Sequence, residues 1–263
     1  MKKVLSVVIA ALMLVSCFAL ASCGGNDDKL VVYTEAGFAP YEFYYNNEIV
    51  GVDIEIAKLV AEKMGKTLQI EDVNFDTIIG AVKSGKADLG IAGITITAER
   101  AEDVGFSKPY SSTEQYLIVA ANDTTTKTVE DVKGKKVGVQ EGTTSDILVE
   151  GLIKDGTLEG STITPYKAPA AAAATIGSKV DVVVTDKLTA ELIVANNSGL
   201  VTFPFVKADG TPAAEVEEYG VAVPKGNEDL LKVVNEVIDE LLTSGKMDAY
   251  TADYSAKASE VGA

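Results

Sequence analysis

The chain has 263 residues, of which 47% are hydrophobic and 24% charged, a composition typical of a globular protein with one or two cores. Its formal net charge of −16 argues against nucleic acid or an anionic membrane surface as a binding partner. It has no histidine, and its two cysteines, Cys17 and Cys23, lie near the N-terminus. Histidine-based catalytic triads are therefore excluded, and we expect neither a metal site nor a cofactor.

Residues 1–22 have the pattern of an export signal, in which two lysines precede the apolar run 4–20 and two small residues follow it. Each cysteine closes a tetrapeptide typical of lipoprotein processing sites, so Cys17 and Cys23 are both candidates. We favour Cys23 because the longer apolar run precedes it and residues 23–28 form a polar, flexible tether. Lipid on Cys23 would hold the chain on the extracytoplasmic face of the cell membrane. The alternative is a plain cleaved signal peptide.

The first hundred residues alternate between strand and helix patterns. In chain order these are a strand at 29–34, a hairpin at 41–52, a helix at 53–64, a strand at 68–73 and a helix from 76 to 85. Asp53 and Asp76 are placed to cap the two helices. The alternation predicts a mainly parallel sheet with right-handed crossovers, in which ligands bind beyond the C-terminal ends of the strands.

The next stretch predicts a short buried strand that ends at Gly93, where a backbone or a ligand can approach closely. Thr95 and Thr97 follow on a turn, and Thr97 is placed to cap a helix over 98–104. Arg100 lies in the first turn of that helix, where the macrodipole favours anions rather than cations. Its partner is therefore either an acid in a surface ion pair or the carboxylate of a bound molecule.

A second α/β series follows. Strands are predicted at 115–121, 136–140, 162–166, 181–186, 201–205 and 219–223, and helices after the polar turn 141–145 and at 170–176, 187–195, 227–243 and 247–254, with fraying past Ser255. The polar turn is either an anion cradle or a simple capping turn. Asp186 ends a buried strand, and it either meets an ammonium group or caps the next helix.

Four segments match motifs of a known family. They are GVDIEIAKLVAEKMG at 51–65, NFDTIIGAVKSGKADLGIAGITITAER at 74–100, VGVQEGTT at 137–144 and EYGVAVPKGNEDL at 218–230. The chain thereby resembles the polar amino-acid-binding proteins of ABC importers, solute-binding protein family 3, over nearly all of its length after the signal. Val52 departs from the family, which usually has an aromatic or larger aliphatic residue there.

The resemblance implies an α/β, two-lobed periplasmic-binding-protein-like fold of the type II, Venus-flytrap kind, with a mainly parallel sheet flanked by helices in each lobe. Lobe 1 would comprise residues 29–109 and 220–263, and lobe 2 residues 115–214. Crossovers at 110–114 and 215–219 would join them and let them close on a ligand. We expect a monomer.

The resemblance also implies roles for the residues that hold the ligand backbone. Arg100 would take the α-carboxylate through two parallel hydrogen bonds. Gly93, Thr95 and backbone N–H groups at Thr144 would help it. Asp186 would take the α-ammonium group.

Five further positions would contact the ligand side chain. Phe38 and Phe75 would sandwich it, and Glu35 would face its far end. Gln140 and Thr185 vary with the ligand in the family.

These features indicate a lipid-anchored receptor that binds a free amino acid and hands it to an ABC permease. Arginine and lysine are the first expectation, since Glu35 suits a cation, and glutamine and cystine follow. One alternative is an enzyme, because some relatives resemble cyclohexadienyl dehydratases, but the chain has no histidine to act as a general acid. Another is a ligand-sensing module, which would need a signalling partner on another chain.

Overall fold

The computed structural model describes residues 28–262, so the expected signal sequence and both cysteines lie outside the described residues. Within this range the strands are β1 Lys29–Thr34, β2 Gly37–Phe38, β3 Glu42–Tyr45, β4 Glu48–Val50, β5 Thr67–Asp72, β6 Leu89–Gly90, β7 Val104–Phe106, β8 Ser111–Thr113, β9 Gln115–Ala120, β10 Lys136–Gln140, β11 Thr162–Tyr166, β12 Val182–Asp186, β13 Leu200–Pro204, β14 Glu217–Tyr219 and β15 Ala222–Pro224. The α-helices are α1 Val52–Lys63, α2 Ile78–Lys83, α3 Ala98–Asp103, α4 Thr144–Lys154, α5 Pro169–Ala173, α6 Lys187–Ala195, α7 Glu228–Thr243 and α8 Lys246–Val261. None of these helices is long and apolar enough to span a membrane.

Two five-stranded sheets define two lobes, which confirms the predicted two-lobed α/β fold. The sheet of lobe 1 has the order β5-β1-β6-β15-β7, and the sheet of lobe 2 has the order β11-β10-β12-β9-β13. Both sheets are mixed rather than mainly parallel, because β15 and β9 run antiparallel to their neighbours. These two strands directly follow segments that cross between the lobes. A parallel neighbour would instead need a helical crossover before it.

The segments that cross between the lobes pair with each other. Strand β8 runs antiparallel to β14, with Thr113 opposite Glu217 and Ser111 opposite Tyr219. Thr95 of lobe 1 forms an isolated bridge with Tyr219 as well. This arrangement brings the side chains of β14 close to the region where the lobes meet.

The hydrophobic core lies on both faces of each sheet. In β12, Val182 and Val184 belong to one apolar cluster and Val183 to another, and all three side chains are fully buried. Successive residues of a strand point to opposite faces, so a continuous apolar run fits a strand that helices cover on both sides. The same strand ends at Asp186, which places a carboxylate at the edge of a rigid core element.

Three local predictions were wrong. Neither Asp53 nor Asp76 caps its helix through a side-chain hydrogen bond, and α1 begins after Gly51, whose backbone φ of 141° strongly favours glycine. Helix α8 continues to Val261 instead of fraying past Ser255, because its second half packs against lobe 1 through buried residues such as Ala258.

Candidate functional site

A narrow cleft lies between the two lobes. Its lining includes nine of the ten residues predicted to bind ligand: Phe38, Phe75, Gly93, Thr95, Arg100, Gln140, Thr144, Thr185 and Asp186. The tenth, Glu35, lies behind Gln140. The structure thus brings together residues that are up to 151 positions apart, between Glu35 and Asp186.

Arg100, the sole arginine of the chain, lies on α3 at the border between the lobes. The helix begins there because the hydroxyl of Thr97 accepts a hydrogen bond from the Arg100 backbone N–H at 3.1 Å, as predicted for an N-cap. The guanidinium donates to the carbonyl oxygen of Thr95 at 2.7 Å and, across the cleft, to that of Gly142 at 3.1 Å. Its central carbon lies 5.3 Å from the ring centroid of Phe75.

The guanidinium of Arg100 makes no ion pair within residues 28–262. Burial lowers its pKa, while the nearby charges of Glu217 and Asp186 act in the opposite direction. A guanidinium has five N–H donors, and the two carbonyl contacts use only part of this set. The surface ion pair that the sequence allowed for Arg100 is therefore absent from the described residues.

Asp186 occupies the N-cap position of α6, but its carboxylate does not cap the helix. Oδ1 accepts a hydrogen bond from Gln115 Nε2 at 2.7 Å, and Oδ2 accepts one from the Tyr219 hydroxyl at 2.6 Å. The pKa of Asp186 is raised to about 7, chiefly by burial and also by the nearby charge of Glu217. The hydrogen bonds from Tyr219 and Gln115 and the charge of Arg100 lower this pKa. Among the described residues no lysine or arginine pairs with this buried carboxylate.

Gly93 and Phe38 form the lobe 1 wall of the cleft. Gly93 has a backbone φ of 54°, and a Cβ at this position would lie 2.7 Å from the ring of Phe38, so a side chain has no room. Its N–H donates to Asp53 Oδ2 at 2.8 Å. Phe38 itself stacks on Tyr41, with ring centroids 5.8 Å apart.

Glu35 connects the lobes at the other end of the cleft. Its Oε2 accepts a hydrogen bond from Gln140 Nε2 at 2.9 Å, and the same amide donates to the carbonyl oxygen of Lys167 at 2.8 Å. The pKa of Glu35 is raised to about 7 because the upward effects of burial and of the charge of Asp72 outweigh the downward effect of the hydrogen bond from Gln140. Thr185 is buried beside Asp186 on β12.

Three polar residues that sequence reasoning missed join this network. Gln115, Glu217 and Tyr219 lie on β9 and β14, next to the crossovers, and hydrogen-bond to residues of the cleft. In the sequence, only their positions beside the predicted crossovers indicate a role at the cleft. Such a position does not show where a side chain points. The part of the chain that the structure describes contains no cluster of three or more acidic, histidine or cysteine side chains suited to a metal ion.

The chain is similar to known proteins over most of its length. The model of the bacterial extracellular solute-binding proteins, family 3, matches residues 30–257. The arginine-binding extracellular protein ArtP of Bacillus subtilis is 29% identical, with 94% of this chain and 96% of that protein covered. The L-cystine-binding protein TcyJ of Escherichia coli is 31% identical, with 94% and 91% covered.

A solved structure is similar over most of the chain as well. It is the amino acid ABC transporter substrate-binding protein AbpA of Streptococcus pneumoniae bound to L-arginine. The TM-score is 0.79 and the identity 32%, and the match covers 88% of this chain and 95% of that one.

Proposed function

The chain belongs to the bacterial extracellular solute-binding proteins, family 3, and from that premise we propose that it is a receptor that binds a free amino acid between its two lobes. The resemblance to amino-acid-binding proteins of ABC transporters, found from four motifs, is confirmed by the family match and by the relatives. These relatives are binding proteins, and the chain is accordingly a receptor and not an enzyme.

One observation carries the proposal: the half-buried Arg100 and the buried Asp186, groups of opposite charge, line the same cleft, and neither is in an ion pair within residues 28–262. A free amino acid is a zwitterion, and both of its charges lose water when it is enclosed. Each charge must then find a charged, hydrogen-bonded partner, or the desolvation cost exceeds the gain. Arg100 suits the carboxylate and Asp186 the ammonium group.

The two partners come from different lobes, since Arg100 lies on α3 of lobe 1 and Asp186 on β12 of lobe 2. Neither lobe alone satisfies the ligand. The ligand therefore favours the closed arrangement to the extent that it binds this arrangement more tightly than the open one.

Glu35 supports a cationic ligand, arginine or lysine before glutamine or cystine. With Glu35 and Asp186 ionised, the cleft has two negative charges and one positive charge, which complement the carboxylate, the ammonium group and the side-chain cation of arginine or lysine. The names of two relatives point to arginine and that of a third to cystine.

The proposal also covers where the receptor is held and where it delivers its ligand. Lipid on Cys23 would anchor a monomer on the extracytoplasmic face of the cell membrane, with residues 1–22 removed and 23–28 as the tether. The lobes, bounded as the sequence predicts at 110–114 and 215–219, would deliver the amino acid to the membrane subunits of an ABC permease. A Cys23→Ser variant should leave the membrane fraction, whereas Cys17→Ser should stay in it. The reverse result would move the anchor to Cys17.

The decisive experiment is a thermal-shift screen of residues 23–263, stripped of ligand, against the common amino acids and cystine. Binding to the native state raises the melting temperature by mass action, so arginine and lysine should give the largest shifts. The bound compound should be recovered unchanged, and prephenate and arogenate should not be turned over. The proposal would be refuted if none of these amino acids raised the melting temperature.

A further inference from the structure

The carboxylate of Glu217 holds one hydroxyl group from each lobe. Its Oε2 accepts hydrogen bonds from Thr95 Oγ1 at 2.7 Å and from Thr144 Oγ1 at 2.6 Å, and its Oε1 accepts one from Gln115 Nε2 at 3.0 Å. Glu217 lies on β14, a strand that crosses between the lobes. It does not line the cleft, whereas Thr95 and Thr144 do.

These hydrogen bonds decide what the two hydroxyl groups can offer a ligand. A threonine hydroxyl has one proton and two lone pairs. Because both protons point to Glu217, Thr95 and Thr144 keep only lone pairs for a guest, and their oxygen atoms lie 3.5 Å apart. They can accept hydrogen bonds but cannot donate them. They therefore suit an ammonium group and not a carboxylate.

Gln115 joins Glu217 to Asp186. Its Nε2 donates to both carboxylates, at 2.7 Å to Asp186 Oδ1 and at 3.0 Å to Glu217 Oε1. Its Oε1 accepts a hydrogen bond from the Ser145 hydroxyl at 2.6 Å, which fixes the orientation of the amide. One rigid amide thus holds two negative charges beside the pair of hydroxyl acceptors.

We propose that Glu217 is a positioning residue for the α-ammonium group of the ligand, which it serves by turning the hydroxyls of Thr95 and Thr144 into acceptors beside Asp186. An ammonium group has three N–H donors, and these three residues supply three acceptors. Thr95 was expected from the resemblance to help bind the carboxylate, and the direction of its hydroxyl proton assigns that hydroxyl to the ammonium group instead. The inference rests on the proposed function, because it names the part of the ligand that this corner of the cleft recognises.

The test compares Glu217→Gln with Glu218→Gln. Both changes remove one negative charge from β14, but neighbouring residues of a strand point to opposite faces, and Glu218 is exposed. Calorimetry with L-arginine, and in parallel with L-glutamine and L-cystine, should show about tenfold weaker binding for Glu217→Gln. Glu218→Gln should stay within about twofold of the wild type. Equal affinities of the two variants, or tighter binding by Glu217→Gln, would overturn the inference.

A double-mutant cycle separates positioning from a general structural effect. If Glu217 acts through the hydroxyl of Thr95, the Glu217→Gln change should cost little in a Thr95→Val background, because the hydroxyl it orients is already absent. If the losses in affinity of the two single variants multiply in the double variant, the positioning role is contradicted. Thr144→Val provides a second background for the same cycle.

Measurements on the wild-type protein distinguish a failure of the proposed function from a failure of the Glu217 role. Wild-type protein that binds none of the amino acids would refute the proposed function itself. Wild-type binding combined with unchanged Glu217→Gln affinity would refute only the role of Glu217.

Discussion

Two pairs of buried acids in this protein resemble each other in burial and differ in surroundings. Glu35 and Asp186 lie at the cleft and accept hydrogen bonds from side chains, including the interlobe contact between Glu35 and Gln140. Glu42 and Asp53 lie inside lobe 1, where both are fully buried. Burial raises the pKa of all four carboxyl groups, and among the described residues none of them is in an ion pair.

The inner pair is bonded only in part within the fold. Asp53 Oδ2 accepts hydrogen bonds from the Gly93 N–H at 2.8 Å and from the Tyr110 hydroxyl at 2.9 Å. Among the described residues, neither oxygen of Glu42 nor Asp53 Oδ1 has a hydrogen-bond partner. Burial and the nearby charge of Asp53 raise the pKa of Glu42 well above its usual range, which favours the protonated form of Glu42.

A raised pKa alone therefore does not mark a binding site. What distinguishes the outer pair is its place beside a cleft: Asp186 lines the cleft together with Arg100, and Glu35 hydrogen-bonds to Gln140, which lines it as well. Changes at the cleft should therefore alter binding and leave the unliganded fold intact. Changes at the inner pair should alter folding.

The largest expected effect on binding is that of Arg100→Lys. A lysine keeps the charge but loses the planar fork that holds a carboxylate with two hydrogen bonds. We expect calorimetry to show a loss of about 2–5 kcal/mol in amino-acid binding. Affinity within a few-fold of the wild type would remove the carboxylate assignment.

Asp53→Ala should produce the largest effect on folding. It leaves the Gly93 N–H and the Tyr110 hydroxyl without their partner inside lobe 1, and we expect a loss of about 3 kcal/mol in unfolding free energy. Urea unfolding without ligand measures it. Asp76→Ala is the matched control, because Asp76 is exposed and makes no capping bond, and it should change stability by less than about 0.5 kcal/mol. Equal losses in the two variants would erase the distinction between inner and exposed acids.

Asp186→Asn should show the opposite pattern, with amino-acid binding about 2 kcal/mol weaker. The unliganded variant should melt no lower than the wild type at pH 8, because the substitution removes a buried negative charge that has no cationic partner. Calorimetry and thermal unfolding provide the two readouts. A much lower melting temperature would place Asp186 with the structural acids.

The pKa values of about 7 for Glu35 and Asp186 predict opposite pH trends for binding and stability. Below pH 7 both carboxyls gain protons and lose their attraction for cations, so the affinity for arginine should fall by up to about tenfold per pH unit for each carboxyl.

Folding favours the protonated forms of these two acids, because their pKa values are higher in the folded state than in the unfolded chain. Their contribution to unliganded stability is complete below about pH 4 and is lost as the pH rises through 7. Calorimetry and urea unfolding between pH 6 and 8 should thus show affinity falling and stability rising on acidification. A variant with both Glu35→Gln and Asp186→Asn should show much weaker trends, and trends as strong as in the wild type would assign them to other groups.

Glu35→Gln should produce the smallest and most selective effect. If Glu35 pairs with a ligand cation, the change should cost arginine and lysine about 1 kcal/mol more than glutamine, because only the cations are left without a partner in the closed cleft. Parallel titrations with the three amino acids measure this difference. Equal losses for all three would leave the amino-acid receptor standing and remove the preference for cations.

The sequence alone determined the local elements and the family. The bounds of β10, β11 and α6 were predicted to the residue, and Thr97 was identified as the cap of α3. These features follow from hydrophobic periodicity and from side chains that bond to backbone within a few residues, so the information is local. The motifs that identify the family are contiguous for the same reason.

The tertiary structure decided the partners of the polar side chains. Asp53 and Asp186 stand where sequence places helix caps, yet their carboxylates bond to Tyr110 and Tyr219, which lie 57 and 33 residues away. Glu217 reaches Thr95, 122 residues away, only because β14 crosses between the lobes. A buried polar group forms its hydrogen bond with a donor that the fold brings close to it. The pattern of neighbouring residues in the sequence does not show which distant residue that will be.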